Sequence, residues 1–473
     1  MAKDERELDI DLVDFAIKFA LKNGAKYADA RLSKSFGQGF VLKNGVPEIA
    51  GLETTNGLNM RLLASSKMSF IATNELTRDV IKALIKRAVR STNAVKLKEK
   101  IDFSKEQIVN DSYTVNQKIN LNDIDVGEKI NAVLELEQEL KTLANLRLFS
   151  YSDLIVKKYF ANSEGSRILS TTPYIRLFYM LMVSNTQENM QSHGTCGGVG
   201  GFELFKNWNL NNKLRNDVLA LKKNLKGIKI EGKMDAVCAP RLTGIFVHES
   251  VGHPTEADRI LSREAAQAGE SFITKKMLGK NYGSAIVNVV DDPTIENSFG
   301  FFLYDDEGVK ARRKYLIKNG KLNEFLHNRE TAFNFGIKSN ASSRSSEYDK
   351  EPITRMSNTF LLPSNHTEKE LIESTKHGVY IVNFEEWNID DKRWQQKYVG
   401  NEAYLIKNGR LDLPVKRPVI EITTPALWSS VDAVANNLQY DAETCGKGEP
   451  MQGIPVTCGG PTIRLKNILI KKY

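Results

Sequence analysis

Histidine and cysteine are scarce in this chain, six and four among 473 residues. Four cysteines, at 196, 238, 445 and 458, cannot staple a chain of this length, which excludes a disulfide scaffold. No run approaches the roughly 18 uncharged apolar residues that a spanning helix needs, so no membrane association is expected. The opening stretch, Met1 to Asp11, is charged and has no apolar core or small-residue cleavage site. No signal peptide is read there, and a cytoplasmic protein is expected. RNP, zinc-finger and recognition-helix patterns are absent as well. The net charge of +8 and pI near 9.0 come from lysines interleaved with acids, as in KLKEK (96–100). That distribution reads as a solvated basic surface, and no nucleic-acid partner is expected.

What is present is an ordinary folded balance, 41% hydrophobic and 26% charged. The length exceeds what one core usually serves, so two domains are expected, 1–225 and 226–473. In the first, Leu12, Phe15, Ala16, Phe19 and Ala20 recur at helical spacing, as do apolar residues over Thr77 to Val95 and Asp123 to Leu143. Alternating segments lie between them, and Asn44-Gly45 marks a tight hairpin. Residues 97–120 are polar and poorly periodic and read as a long connection. The glycine-rich HGTCGGVGGFE (193–203) lacks the Lys-Ser/Thr ending of a phosphate loop and reads as a gate or a close backbone approach. A lysine-rich run, 215–233, ends this domain.

After Met234 the pattern changes to many short strands, with hairpin signals at Asn319-Gly320 and Asn408-Gly409. The expected fold class is α+β: helices on antiparallel strands first, then a mostly-β domain carrying one metal-binding helix.

Two of the six histidines fall in one window, PRLTGIFVHESVGHPTEADRIL (240–261). Pro240 suits a first helical position, and Leu242, Ile245, Phe246 and Glu249 follow at helical spacing. Imidazoles with a neighbouring carboxylate are the residues of a catalytic metal site. The familiar spacing is four; His248 and His253 are five apart. Five steps of about 100° leave the rings about 140° apart on a regular helix, which cannot chelate one ion. Either the helix is widened by a π-type bulge or it ends near Gly252 and His253 swings back. An irregular turn is expected between Ser250 and His253. Third-ligand candidates are Glu256 and Asp258 nearby and Cys445 in the loop TCGKGEPMQG, with Cys458, His327 and Cys238 weaker. Spacing alone does not separate a metal site from two histidines of the core or surface.

HESVGHPTEAD resembles the H-E-x-x-x-H signature of the TldD/PmbA family, the modulator-of-gyrase peptidases. FFLYDDEGVKARRKYLIKNGKLNEFLHNRETA (301–332), SSRSSEYDKEPITRMSNTFLLPSN (342–365) and CGKGEPMQGIPVTCGGPTIRLKNILI (445–470) resemble the same family, as does NGAKYADARL. The likeness spans nearly the whole chain and is to the metal-bearing, TldD-type member. It implies one zinc per active subunit, bound by His248, His253 and Cys445, with Glu249 as general base. It implies a protease for short or unfolded peptides, which enter a chamber between two subunits and add as a strand. The partner implied is a second copy or a motif-less TldE/PmbA-type paralogue. Two departures stand out. WNIDDKRWQQKYVGNEAYL (387–405) resembles a degenerate version of the family's glycine-rich stretch, and the family's doubled arginine is reduced to Arg344, with Arg355 in TRMSNT. These arginines are candidates for holding a peptide carboxylate. Two rivals are a non-catalytic subunit with a structural metal and a metal-dependent amidase.

Overall fold

The computed structural model describes residues 8–94, 100–264 and 269–473. The first helix, α1 (Ile10–Lys22), starts at Asp9, whose carboxylate accepts from the Leu12 N–H, and buries Leu12, Val13, Ala16, Ile17 and Ala20. That stripe is the one its periodicity predicts. Strands β1 (Tyr27–Lys43) and β2 (Val46–Ala64) form a hairpin whose turn residues, Asn44 and Gly45, have φ of 50° and 80°. Positive φ at both positions is why Asn-Gly is selected there.

With β3 (Lys67–Thr73), β4 (Asn110–Thr114), β5 (Leu146–Asn162), β6 (Arg167–Ser184) and β7 (Asn189–Val199) these strands make one seven-stranded sheet. Its order is β3-β2-β1-β5-β6, with β4 and β7 both on the far edge of β6. Helices α1 and α2 (Arg78–Ala94) pack on one end of the sheet. Helices α3 (Val126–Leu140) and α4 (Leu210–Asn224) pack on the other, through Val133, Leu136, Leu214 and Val218 against Phe149, Ile175 and Leu177. Val95, the expected end of α2, lies outside the described residues.

Two expectations change. The polar connection contains β4, a five-residue strand parallel to β6 whose NDSYT has no apolar alternation to read. The lysine-rich run begins inside α4, where Val218 and Leu221 are buried beneath exposed lysines. The glycine-rich passage is mostly strand β7, and a Cβ on Gly198 would stand 2.6 Å from the Asn297 carbonyl oxygen, a close backbone approach.

The second half is built on a closed barrel. Strands β8 (Gly232–Cys238), β9 (His377–Ile389), β10 (Gln395–Lys407) and β11 (Pro418–Thr423) take part, with β14 (Ile463–Lys472) between β8 and β11. Pairing of β9 with β10 closes it. Strands β12 (Gln439–Lys447) and β13 (Gln452–Gly460) form a hairpin in a separate sheet, completed by short strands such as Val289–Asp291 and Asn358–Leu361. Asn319-Gly320 and Asn408-Gly409 turn hairpins with positive φ at all four residues. Helix α5 (Pro240–Val247) leaves β8 and is buried along its length between the barrel and β13. Phe246 meets the Tyr398 ring at 4.5 Å. This placement carries the end of α5 to the β12–β13 hairpin. No helix among the described residues is long and apolar enough to cross a membrane.

Candidate metal centre

After Val247 the helix widens: His248–Gly252 form a π-helical turn, and His253–Thr255 a 3-10 turn. The N–H of His253 bonds to the carbonyl of His248, five residues back. The added residue in that turn removes the divergence a regular helix would impose, and the two ring centroids lie 4.8 Å apart. Sequence chemistry supports the widening. Displaced carbonyls find partners: Thr255 Oγ1 donates to the carbonyls of Val251 and Gly252, both at 2.9 Å, and the Tyr282 hydroxyl donates to that of Ser250. The Ser250 hydroxyl donates to the Phe246 carbonyl and accepts from Trp428 Nε1 at 2.8 Å. Gly252 is required for room, not for dihedral freedom, since a Cβ there would overlap the sulfur of Met356.

Cys445 reaches this turn from β12. One donor atom each from His248, His253 and Cys445 lies within 4.8 Å of the others, and all three residues are buried. The Cys445 sulfur is 3.4 Å from His253 Nε2. The remaining candidates are elsewhere or otherwise engaged. Cys458 contacts the Asp441 carbonyl, Cys238 is in the barrel core, and His327 Nδ1 lies 3.1 Å from Thr331 Oγ1.

Glu256, a candidate ligand, instead lies behind His253, with a carboxylate oxygen 3.0 Å from Nδ1. Arg259 Nε at 2.7 Å and Lys447 at 3.2 Å also face it. Burial pushes its carboxyl up, but Lys447, His253 and Arg259 together hold it well below the usual 4.5. An ionised carboxylate only accepts, so His253 carries its proton on Nδ1 and presents Nε2 to the pocket. Lys447 is two residues beyond Cys445, fully buried, and donates at 2.8 Å to both oxygens of Asp258. It thus ties one donor's strand to the turn that carries the other two.

Lys447→Met leaves the carboxylates of Glu256 and Asp258 short of their shared cation. Unfolding by denaturant at pH 7 should show a loss of about 3–5 kcal/mol. Because the folded state depresses the Glu256 pKa, the stabilisation is present above 4.5 and lost as pH falls below it. The gap between variant and wild type should therefore narrow in acid; a gap that widens there would contradict the assignment.

The donor set fits a metal on its own chemistry. His248 Nδ1 is buried and has no hydrogen-bond partner among the described residues. Burial pushes the Cys445 thiol up, yet His253, Arg355 and His248 draw it well below its usual range, favouring the thiolate that binds metals. Burial pulls His248 down, and the Cys445 thiolate and Glu249 overcome that, raising it to about 9. A buried thiolate facing two imidazoles puts negative charge where a cation would bind.

Glu249 stands outside the donor set. Its Oε1 accepts from Trp387 Nε1 at 3.1 Å and its Oε2 from Arg393 Nη1 at 2.7 Å. Burial raises its carboxyl, but His253, Arg393 and His248 outweigh that and hold it ionised. Sequence reasoning missed both donors; the one signal was their place in the stretch that departs from a glycine-rich pattern. Arg344 and Arg355, expected to grip a peptide carboxylate, have their forks on main chain. Arg344 donates to the carbonyls of Met356 and Pro455, both at 2.8 Å, while lining a 320 Å³ cleft beneath the first sheet. Arg355 is wholly buried and donates to the carbonyls of Cys445 and Gln452, bracing the β12–β13 hairpin.

A widened helical turn and a β-hairpin bring two imidazoles and a thiolate together, with a separate carboxylate beside them, a group that could hold a metal ion. Residues 28–92, 119–221 and 231–472 match the first, central and C-terminal domains of the PmbA/TldA metallopeptidases, and the chain belongs to that family. A metalloprotease of Methanocaldococcus jannaschii is 33% identical over 448 residues, 93% of this chain and 95% of that one. A protein of Saccharolobus solfataricus named zinc metalloprotease TldD homolog is 24% identical, covering 97% and 99%. The fold matches a putative modulator of DNA gyrase from Thermotoga maritima (TM-score 0.79, 17% identity, 97% and 99% covered). It also matches TldE of Thermococcus kodakarensis (TM-score 0.78, 13% identity, 97% and 100% covered).

Proposed function

We propose that this chain is a zinc-dependent peptidase for short or unfolded peptides, with His248, His253 and Cys445 as ligands and Glu249 as general base. The observation that carries the reading is the convergence of those three donors within 4.8 Å, beside a carboxylate that is not one of them. Zinc suits two nitrogens and one sulfur with a position left over, and would supply Lewis acidity and a water acidified toward neutrality. Glu249, ionised and close to the donors, takes the proton of the attacking water and returns it to the departing amine. Cys445 contributes a negative charge that a third histidine would not, tempering the metal's pull on electrons. Arg355 and Lys447 hold the strand that bears Cys445.

Among the described residues, strand β12 is paired on one side only, with β13. A peptide laid along its free edge would be held by main-chain hydrogen bonds, independent of side-chain identity. A second copy or a motif-less paralogue would complete the chamber. A structural metal would not need Glu249, which weighs against the non-catalytic reading. Cleavage of an unstructured peptide by the zinc-loaded protein, abolished by chelator and restored by zinc, is expected. Hydrolysis that survives chelation would overturn the metal's role. Cleavage confined to non-peptide amides would favour the amidase.

A further inference from the structure

The hairpin that β9 and β10 form lies against Glu249. Among the described residues each oxygen of the carboxylate has one donor, both from this hairpin: Trp387 at 3.1 Å and Arg393 at 2.7 Å. The Arg393 and Glu249 side chains are 11% and 9% exposed. Two donors from one rigid element, one per oxygen, fix the carboxylate plane and still leave lone pairs for a proton.

The hairpin is built to be rigid. Asp390 accepts from the N–H groups of Trp394 at 2.7 Å and Gln395 at 3.0 Å. Thr424 Oγ1 donates to the Arg393 carbonyl at 2.7 Å, and Trp394 packs edge-on against Phe272 at 5.1 Å. Arg393 itself has φ of 64°, in the left-handed region that disfavours any residue with a Cβ. Glycine would relax that turn. An arginine held there against backbone preference, with its guanidinium on the base, is the kind of strain that marks a functional constraint.

We propose that Arg393, seconded by Trp387, is a positioning residue that orients the Glu249 carboxylate for proton transfer. The proposal rests on the peptidase reading for its chemistry, though not for its geometry.

The test uses the full-length, zinc-loaded protein and the variant Arg393→Gly, which suits the backbone and removes only the clamp. Zinc content should stay that of wild type, kcat should fall about a hundredfold and KM should change little. Guanidinium ion added to the variant should restore part of kcat. Trp387→Phe should lower kcat less, by about tenfold, since Arg393 remains. A readout independent of turnover is a crystal structure of the metal-free variant. Glu249 should occupy several rotamers there and a single one in wild type. An unchanged kcat, an increased kcat or one unaltered Glu249 rotamer in the variant would each overturn the proposal; an increase would make the hairpin a latch. If wild type cleaves no peptide, the peptidase reading fails, and the rotamer comparison still decides the clamp.

Discussion

Glu249→Gln is expected to keep its metal and lose about a thousandfold or more in kcat. The substitution is nearly isosteric, and Glu249 is not among the donors that converge within 4.8 Å, so zinc per chain should not change. What changes is proton affinity, because an amide oxygen cannot hold a proton at neutral pH. Positioned general-base catalysis contributes roughly 10²–10⁴-fold, and in the proposed mechanism the same group also returns the proton to the leaving amine, so the upper part of that range applies. The folded state should be little perturbed. Trp387 can still donate to the amide oxygen, while the amide N–H group faces the Arg393 guanidinium, one unfavourable contact. Steady-state kinetics with metal analysis on the same sample checks this. Full turnover would remove Glu249 from the chemistry, and loss of metal would place it among the ligands.

Cys445→Ala should produce the complementary failure: activity disappears because the metal does. Cys445 lies across the pocket from the two imidazoles and is their one sulfur partner among the described residues, 3.4 Å from His253 Nε2. Two imidazoles alone bind zinc far more weakly than two imidazoles and a thiolate, whose charge offsets that of the cation. The scaffold should survive, since β12 keeps its ladder with β13 and Arg355 grips the carbonyl of residue 445, not its side chain. The variant should therefore be folded, bind well below one zinc per chain under conditions that saturate wild type, and lack turnover at any pH. Stoichiometric zinc in the alanine variant would require another donor from the vicinity, such as Glu256. Recruiting it would break its contact with His253 at 3.0 Å.

Much of this arrangement was legible before any coordinates. Apolar periodicity located α1, α2 and α3 because each lays one stripe on the first sheet. Three Asn-Gly pairs located their hairpins because the turn demands positive φ at both residues. Five-residue histidine spacing is informative because a regular helix forbids it, and the widened turn His248–Gly252 is the solution adopted. The strand β4 escaped notice because its side chains bury little and leave no alternation.

At the site, what stayed hidden is what depends on long-range direction. Glu256 and Cys445 were both reasonable third ligands by residue type. Only the fold shows that one stands behind His253 and the other across the pocket. Lys447 reads as one more surface lysine until β12 carries it onto Glu256 and Asp258, 191 and 189 positions away (447 − 256 and 447 − 258). Trp387 and Arg393 reach Glu249 across 138 and 144 residues, and neither periodicity nor spacing encodes such a contact. The fork of Arg355, whose chemistry also suits a carboxylate, grips two carbonyls of a neighbouring hairpin.

Zinc-edge X-ray absorption on the purified, zinc-loaded protein tests the central claim most directly, since it counts ligand types around the ion. It should show one sulfur at about 2.3 Å and two imidazole nitrogens at about 2.0 Å, with a remaining light-atom position for solvent. A spectrum without sulfur, or with fewer than two imidazoles, would contradict the account.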